Sequence, residues 1–320
     1  MEYNFSLDNS KPNRLFSCPD CEKRTFKRYW DNFKNEYFPD EDVGRCNREF
    51  SCGCHNTPKQ FFEKNGLDYQ KNEAPKSRLP KPKPPTTYID YSWVEKSMNR
   101  NIPNYFTDYL KRLFGEEKTN ILINKFRIGD SKHWKGATVF WQIDQEYKVR
   151  TGKIMLYNST IGKRVTDYDN WVHSVSEIQN FTIEQCFFGL HQLTEDSKKS
   201  IGIVESQKTA IILTAIDPKI TWLASGGIAL PLDRFKPLKG RKIILYPDAG
   251  IDKNGQGTPF KKWTDKAETL NLAGFDISVS KLVENAATEE QRKDGYDLAD
   301  YFTMIDQNGL SILNTKQLNK

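Results

Sequence analysis

Five of the six cysteines crowd into the first 54 residues, as Cys18-Pro-Asp-Cys21, Cys46 and Cys52-Gly-Cys54-His55. Two thiols two residues apart share one turn and can bind one ion. A second pair across a loop completes a tetrahedron, which is the pattern of structural zinc. Spacing makes Cys18 and Cys21 the first pair. The second is drawn from Cys46, Cys52, Cys54 and His55; Cys46 with Cys52 is preferred, and His55, at chelating spacing from Cys52, is the alternate. Disulfides are disfavoured, because the rest of the chain holds only Cys186 and no signal-like apolar stretch points to secretion. Cys186 lies in an apolar stretch and reads as core.

A second set of chemically capable residues is acidic: Glu205, Asp248 and Asp297. What makes them a set is the run of elements that carries them. Ser200–Val204, Ile220–Ala224, Arg241–Tyr246 and Phe275–Val279 are short apolar runs that read as strands. Lys208–Ala215 and Pro259–Leu272 between them read as helices. Such alternation predicts a parallel sheet with helices on both faces. Ligand sites in these sheets lie beyond the carboxyl ends of the strands, where Glu205, Gly226-Gly227 and Asp248 fall. Asp297 follows the fourth strand within Lys293-Asp294-Gly295-Tyr296-Asp297-Leu298-Ala299-Asp300. Gly226-Gly227 suits either backbone approach to a phosphate or a plain tight turn.

The preceding segments have different characters. Residues 1–63 read as a zinc ribbon of short strands. Between its ligand pairs runs Lys23-Arg24-Thr25-Phe26-Lys27-Arg28-Tyr29-Trp30, where Lys27 and Arg28 could meet phosphates while the aromatics stack on bases or fill a small core. Residues 64–90 alternate lysine and arginine with proline and read as a basic, extended linker. Residues 91–195 read as a basic mixed α/β domain. It has helical spacing over 91–116, antiparallel strands at Ala137–Ile143 and Gly152–Tyr157, a short strand at Trp171–Val175 and a helix about Ile183–Phe188. Trp134, Trp141 and Trp171 are expected to pack this domain, and His133, His173 and His191 lack ligand spacing. Residues 196–305 hold the parallel sheet, and 306–320 read as a tail.

The 320 residues carry a net charge of +6 and an isoelectric point near 8.8, with 37% hydrophobic and 12% aromatic residues. This balance favours polyanionic partners. No apolar run approaches the length of a membrane helix, so a soluble, cytoplasmic protein is expected.

The order Glu205, Asp248, Asp297 resembles the toprim domain shared by bacterial primases, topoisomerases and some nucleases. A zinc ribbon and a basic α/β segment ahead of it resemble the order seen in primases. Thr151-Gly152-Lys153-Ile154-Met155-Leu156-Tyr157, Trp171-Val172-His173 and Glu205-Ser206-Gln207-Lys208-Thr209-Ala210 resemble a family of Bacteroidetes genomes and mobile elements that joins a zinc finger to a toprim-like domain. The toprim resemblance implies magnesium at Glu205, Asp248 and Asp297, with Glu205 as general acid or base and Asp300 or Asp294 as substitutes for Asp297. Arg150, Lys153 and Lys208 would steer nucleotide phosphates. It implies single-stranded DNA as partner, with nucleotides and replication or mobilisation proteins as further ones, and primase-like nucleotidyl transfer as activity. A toprim nuclease and a non-catalytic DNA-binding or adaptor protein are the alternatives. The chain departs from the primase pattern at Ser206 and Thr209, and at Asp248-Ala249-Gly250, where primases carry a second aspartate; Asp252 is the nearest replacement.

Overall fold

The chain divides into two compact units, one ending at Lys83 and one beginning at Pro84. The computed structural model describes residues 5–8, 14–48, 52–67, 84–195, 198–252, 255 and 257–314. Most of the basic, proline-rich stretch, including Lys71, Lys76, Arg78, Lys81 and Lys83, lies outside them.

The first unit is a sheet of short strands: β1 (Phe5–Leu7), β2 (Phe16–Ser17), β3 (Arg24–Asp31), β4 (Glu36–Tyr37), β5 (Gly44–Cys46) and β6 (His55–Asn56). β3 is its spine, antiparallel to β1, β2, β4 and β5, and β5 pairs with β6. Phe26 on β3 is buried among the cysteines and forms their apolar floor. On the facing strand β5, a Cβ on Gly44 would collide with the Lys27 carbonyl and the Phe26 ring, so this close crossing needs glycine. The ribbon also ends in a helix that the sequence pattern did not announce, α1 (Pro58–Lys64), started by a Thr57–Gln60 capping box and a proline in its first turn.

The second unit opens with α2 (Ser92–Met98), α3 (Tyr105–Phe114) and α4 (Glu116–Phe126). An antiparallel sheet of β7 (Gly129–Asp130), β8 (Thr138–Ile143), β9 (Val149–Tyr157) and β10 (Arg164–Trp171) follows. All of β8 is buried because both faces are covered. Val139, Trp141 and Ile143 enter one core, while Phe140, with Met155 and Tyr157 of β9, enters another.

The expected strand at Trp171–Val175 is instead the end of β10 and a helical turn, α5 (Val172–Val175). The expected helix about Ile183–Phe188 is extended chain. Phe188 and Ala224 exchange backbone hydrogen bonds of 2.9 and 3.1 Å, and Phe187 and Phe188 enter opposite cores, as extended backbone allows.

The parallel sheet comprises β11 (Ile201–Val204), β12 (Thr221–Ala224), β13 (Lys242–Leu245) and β14 (Asp276–Val279), in spatial order β12-β11-β13-β14. Its helices are α6 (Gln207–Ile216), α7 (Leu232–Phe235) and α8 (Pro259–Leu272), followed by α9 (Leu282–Ala286), α10 (Glu289–Asp294) and α11 (Leu298–Phe302). α6 lays Ala210, Ile211, Ile212 and Leu213 into the core that also holds Phe140, Met155 and Tyr157. α8 covers the opposite face with Trp263, Ala267 and Leu270.

That shared core moves the boundaries read from sequence. Residues 91–195 and 196–305 bury one hydrophobic core between them and belong to the same unit. Its start lies inside the expected linker, since Ile89 N–H already donates to Val149 O at 2.9 Å. The expected tail at 306–320 contains a strand, β16 (Ser311–Leu313), which forms an antiparallel hairpin with β15 (Thr303–Ile305) at the end of the preceding segment. Among the described residues, no helix is long and apolar enough to cross a membrane.

Candidate metal centres

Cys18 and Cys21 stand on the turn after β2, closed by a 2.9 Å bond from Glu22 N–H to Cys18 O. Cys46 ends β5, and Cys52 lies on the next turn. These four are, among the described residues, the one group of three or more histidine, cysteine or acidic side chains whose ligand atoms all lie within 4.8 Å of one another. Cys18 Sγ and Cys52 Sγ are 3.6 Å apart, and Cys21 Sγ and Cys46 Sγ 4.0 Å. Four sulfurs about 2.3 Å from a zinc ion stand about 3.8 Å from each other in a tetrahedron, so the set fits zinc. Arg48 N–H donates to Cys46 Sγ at 3.4 Å, and Thr25 Oγ1 lies 3.2 Å from it, orienting that sulfur. His55, the alternate ligand, is engaged elsewhere, with its Nε2 3.1 Å from the Tyr29 hydroxyl and the two rings stacked. Cys54 is buried beside the group and contributes its carbonyl, which accepts from Cys46 N–H at 2.9 Å.

The acidic residues gather at the carboxyl edge of the parallel sheet. Glu205 follows β11 and Asp248 follows β13. A bond of 2.8 Å from Ala249 N–H to Tyr296 O draws the 296–300 segment alongside. Burial pushes the Glu205 carboxyl up to about 7, against a hydrogen bond from the Asp248 backbone amide, and the Asp297 charge adds to the rise. Burial, then the charges of Glu205, Asp297 and Asp300, holds Asp248 well above the usual carboxylate range. Asp300 is raised by burial and by Asp297. Glu205 Oε1 is buried and meets no hydrogen-bond partner. This oxygen and Asp248 are hard donors, with Lys262 and Lys208 as nearby opposing charges; magnesium takes one or two such carboxylates and keeps its waters.

Asp297 is differently placed. It is the N-cap of α11: its Oδ1 accepts from Asp300 N–H at 2.8 Å, and Asp300 Oδ2 accepts from Asp297 N–H at 3.1 Å. Asp297 Oδ2 accepts from the Thr209 hydroxyl at 2.8 Å. Lys208 Nζ lies 3.5 Å from both Asp297 Oδ2 and Asp300 Oδ1. Burial alone would lower that lysine, but Asp297 and Asp300 outweigh it and hold the ammonium above the usual lysine range. Asp294 is exposed at the end of α10, and Asp252 Oδ2 accepts from Gly257 N–H at 3.0 Å.

The basic residues expected to meet phosphates are engaged within the protein. Arg150 bridges Asp144 Oδ2 at 2.8 Å and Glu184 Oε2 at 2.9 Å, with its guanidinium over the Tyr88 ring. Lys153 reaches Asp169 at 3.8 Å and lies over the Trp171 ring. Arg28 binds Glu41 at 3.0 Å between the Phe16 and Tyr37 rings, while its neighbour Lys27 is half-buried on β3. Gly226 and Gly227 have φ of 79° and 154°, and Gly226 N–H donates to Glu205 O at 2.9 Å. That glycine pair is a turn closing on the site's own backbone.

Tyr109 and Tyr157, which lie beside Lys208, were not singled out as site residues from sequence, and Thr209, which holds Asp297, was read only as a departure from the primase pattern. The Asp297-x-x-Asp300 spacing was a readable capping signal; the tyrosines come from distant elements and left none.

Residues 3–67 match a family described as a zinc beta-ribbon finger, and residues 104–249 match a domain of unknown function, DUF6371. No curated protein matches the chain. Among solved structures, it is similar to a DnaG primase catalytic domain bound to single-stranded DNA, at 12% identity and a TM-score of 0.41, covering 66% of this chain and 80% of that one. It is similar to the zinc-binding and RNA polymerase domains of Aquifex aeolicus primase, at 13% identity and a TM-score of 0.36, covering 86% and 73%. The primase fragment of the bacteriophage T7 primase-helicase gives 13% identity and a TM-score of 0.34, covering 84% and 89%.

Proposed function

We propose that this chain is a primase-like protein of the toprim type that binds single-stranded DNA and directs nucleotidyl transfer at its acidic edge, in replication or transfer of a mobile element. The observation that carries the reading is the placement of Glu205 and Asp248 just after β11 and β13 at one edge of the parallel sheet, where a buried Glu205 oxygen has no partner and the Ala249–Tyr296 bond draws Asp297 and Asp300 alongside. Glu205 and Asp248 would hold magnesium, and Asp297 would add its charge from the α11 cap. Bound there, the ion would stabilise charge developing on a phosphate. A surface for the strand is suggested in the middle sheet, where Trp134 packs edge-on against Tyr168 at 5.3 Å and Lys132, His133 and Lys135 are exposed around it. Lysines beside stackable rings are what an unpaired strand needs.

A DNA-binding protein without catalysis is the second reading. It is favoured by Asp297, both of whose oxygens already accept bonds within the protein. The test incubates the protein with a single-stranded template, labelled ribonucleotides and magnesium or manganese, alongside anisotropy with labelled DNA. Short products lost in Glu205→Gln support transfer, and a shortened template points to nuclease. DNA binding with neither product supports the second reading. Absence of binding at low salt rejects both.

A further inference from the structure

The two ends of the acidic cluster are unlike. At the Glu205 end, one buried carboxylate oxygen has no partner, and Lys262 and Lys208 reach Glu205 and Asp248 only as nearby charges, with no ion-pair contact to either carboxylate among the described residues. At the Asp297 end, every carboxylate oxygen has a partner. Asp297 Oδ1 and Asp300 Oδ2 are used by the α11 capping box, Asp297 Oδ2 takes the Thr209 hydroxyl, and Lys208 Nζ lies 3.5 Å from Asp297 Oδ2 and Asp300 Oδ1 alike. Lys208 is rooted in the first turn of α6, which Ser206 caps through Thr209 N–H at 3.2 Å. Its side chain is only 14% exposed. Near it lie the hydroxyls of two buried tyrosines, Tyr109 and Tyr157. The lysine is therefore held where it is, with its charge shared between two carboxylates.

We propose that Lys208 is the resident cation of the acidic cluster, so that the cluster takes a single divalent ion, at Glu205 and Asp248, and excludes a second ion at Asp297 and Asp300. This rests on the reading of the cluster as a cation site. The physical reason is direct: a divalent ion at Asp297 would meet an ammonium ion in contact distance of the same oxygens, and like charges at that range repel strongly in a site with little water. An ammonium also cannot exchange with solvent as a metal can, so this end stays neutralised whatever the metal supply.

The test is a manganese titration of the full, zinc-loaded chain, read by the electron paramagnetic resonance signal of free manganese. One bound ion per chain in the parent protein and two in Lys208→Gln are expected, with one in Lys208→Arg. Two ions in the parent, or one in a Lys208→Gln protein that melts like the parent, overturns the proposal. A second comparison holds even if Lys208→Gln does not fold. Asp248→Asn should weaken the single ion at least tenfold, while Asp300→Asn should leave it within twofold. Equal weakening by both overturns the assignment of ends. No bound manganese in any of these proteins rejects the cation-site reading itself, and this proposal with it, and is told apart from the other failures by that blank titration.

Discussion

Gly250 packs against the ring of Pro259: a Cβ on this glycine would stand 2.9 Å from Pro259 Cγ and 3.0 Å from its Cδ. Pro259 is the first residue of α8 and is fixed by the helix that follows. Position 250 is where a second acid of an Asp-x-Asp pair would stand. Here the first residue of α8 occupies its space. Restoring the acid should therefore damage the protein and add no ligand. Gly250→Asp and Gly250→Ala should each destabilise by about 1–3 kcal/mol through overpacking, and Pro259→Ala should recover part of that loss in the double variant. Thermal melting checks it; a Gly250→Asp protein as stable as its parent would show that α8 yields.

The zinc site makes a prediction confined to the first unit. Changing Cys18 and Cys21 together to serine should abolish zinc by elemental analysis and remove the first unit's melting transition, since small ribbons fold on their metal. Transitions of the second unit should stay. His55→Ala should retain one zinc, because that ring serves Tyr29. Loss of zinc in His55→Ala would return the histidine to the ligand set.

Stability should depend on pH in a direction set by the raised carboxyls. Glu205 and Asp248 bind protons more tightly folded than unfolded, so the folded state carries more protons and its stability falls as pH rises. The fall begins near the unfolded carboxyl value, about 4.3, and for Glu205 levels off above about 7. In magnesium-free buffer the melting temperature of the second unit should drop across that window. Glu205→Gln should flatten the slope, and magnesium should restore stability at the alkaline end. Parallel profiles for parent and Glu205→Gln would remove Glu205 as the source.

Arg150 should behave as a structural residue. Its partner Asp144 has a side chain only 2% exposed, also bonded by the amides of Glu146 and Lys148 at 2.9 and 3.0 Å. Arg150→Ala leaves that carboxylate without its cation and should cost about 2–3 kcal/mol, toward the lower end of what breaking a buried pair costs because the amides remain. The salt dependence of DNA binding should keep its slope. A slope reduced by about one charge would instead give Arg150 a phosphate contact.

The parallel sheet was legible because its strands are short apolar runs that end at Glu205, Gly226 and Pro247-Asp248, and the cysteine spacing announced the first unit. Short apolar runs are ambiguous between strand and helix, which is why Cys186-Phe187-Phe188 reads as helical until its residues are seen to part between two cores. Charge on a residue does not name its partner. Lys208 and Arg150 read as phosphate contacts because Asp297 and Glu184 reach them only through tertiary packing, and the turn that brings Asp144 back to Arg150 was not read from sequence. The separate middle domain failed for a related reason. Phe140 and Ile211 look like parts of two cores in sequence and share one in space.

The hydrogen bond from Ala249 to Tyr296 spans the whole excursion through α8, β14, α9 and α10. During synthesis the chain grows from its N-terminus, so α6, with Lys208 on it, emerges long before Asp297 and Asp300 exist. For that interval the lysine lacks both carboxylates that pair with it in the finished fold. The sheet can pair early, but its acidic edge is finished only by α11. A released chain that ends just short of Asp297 would thus carry all four parallel strands and this lysine without the two carboxylates that pair with it.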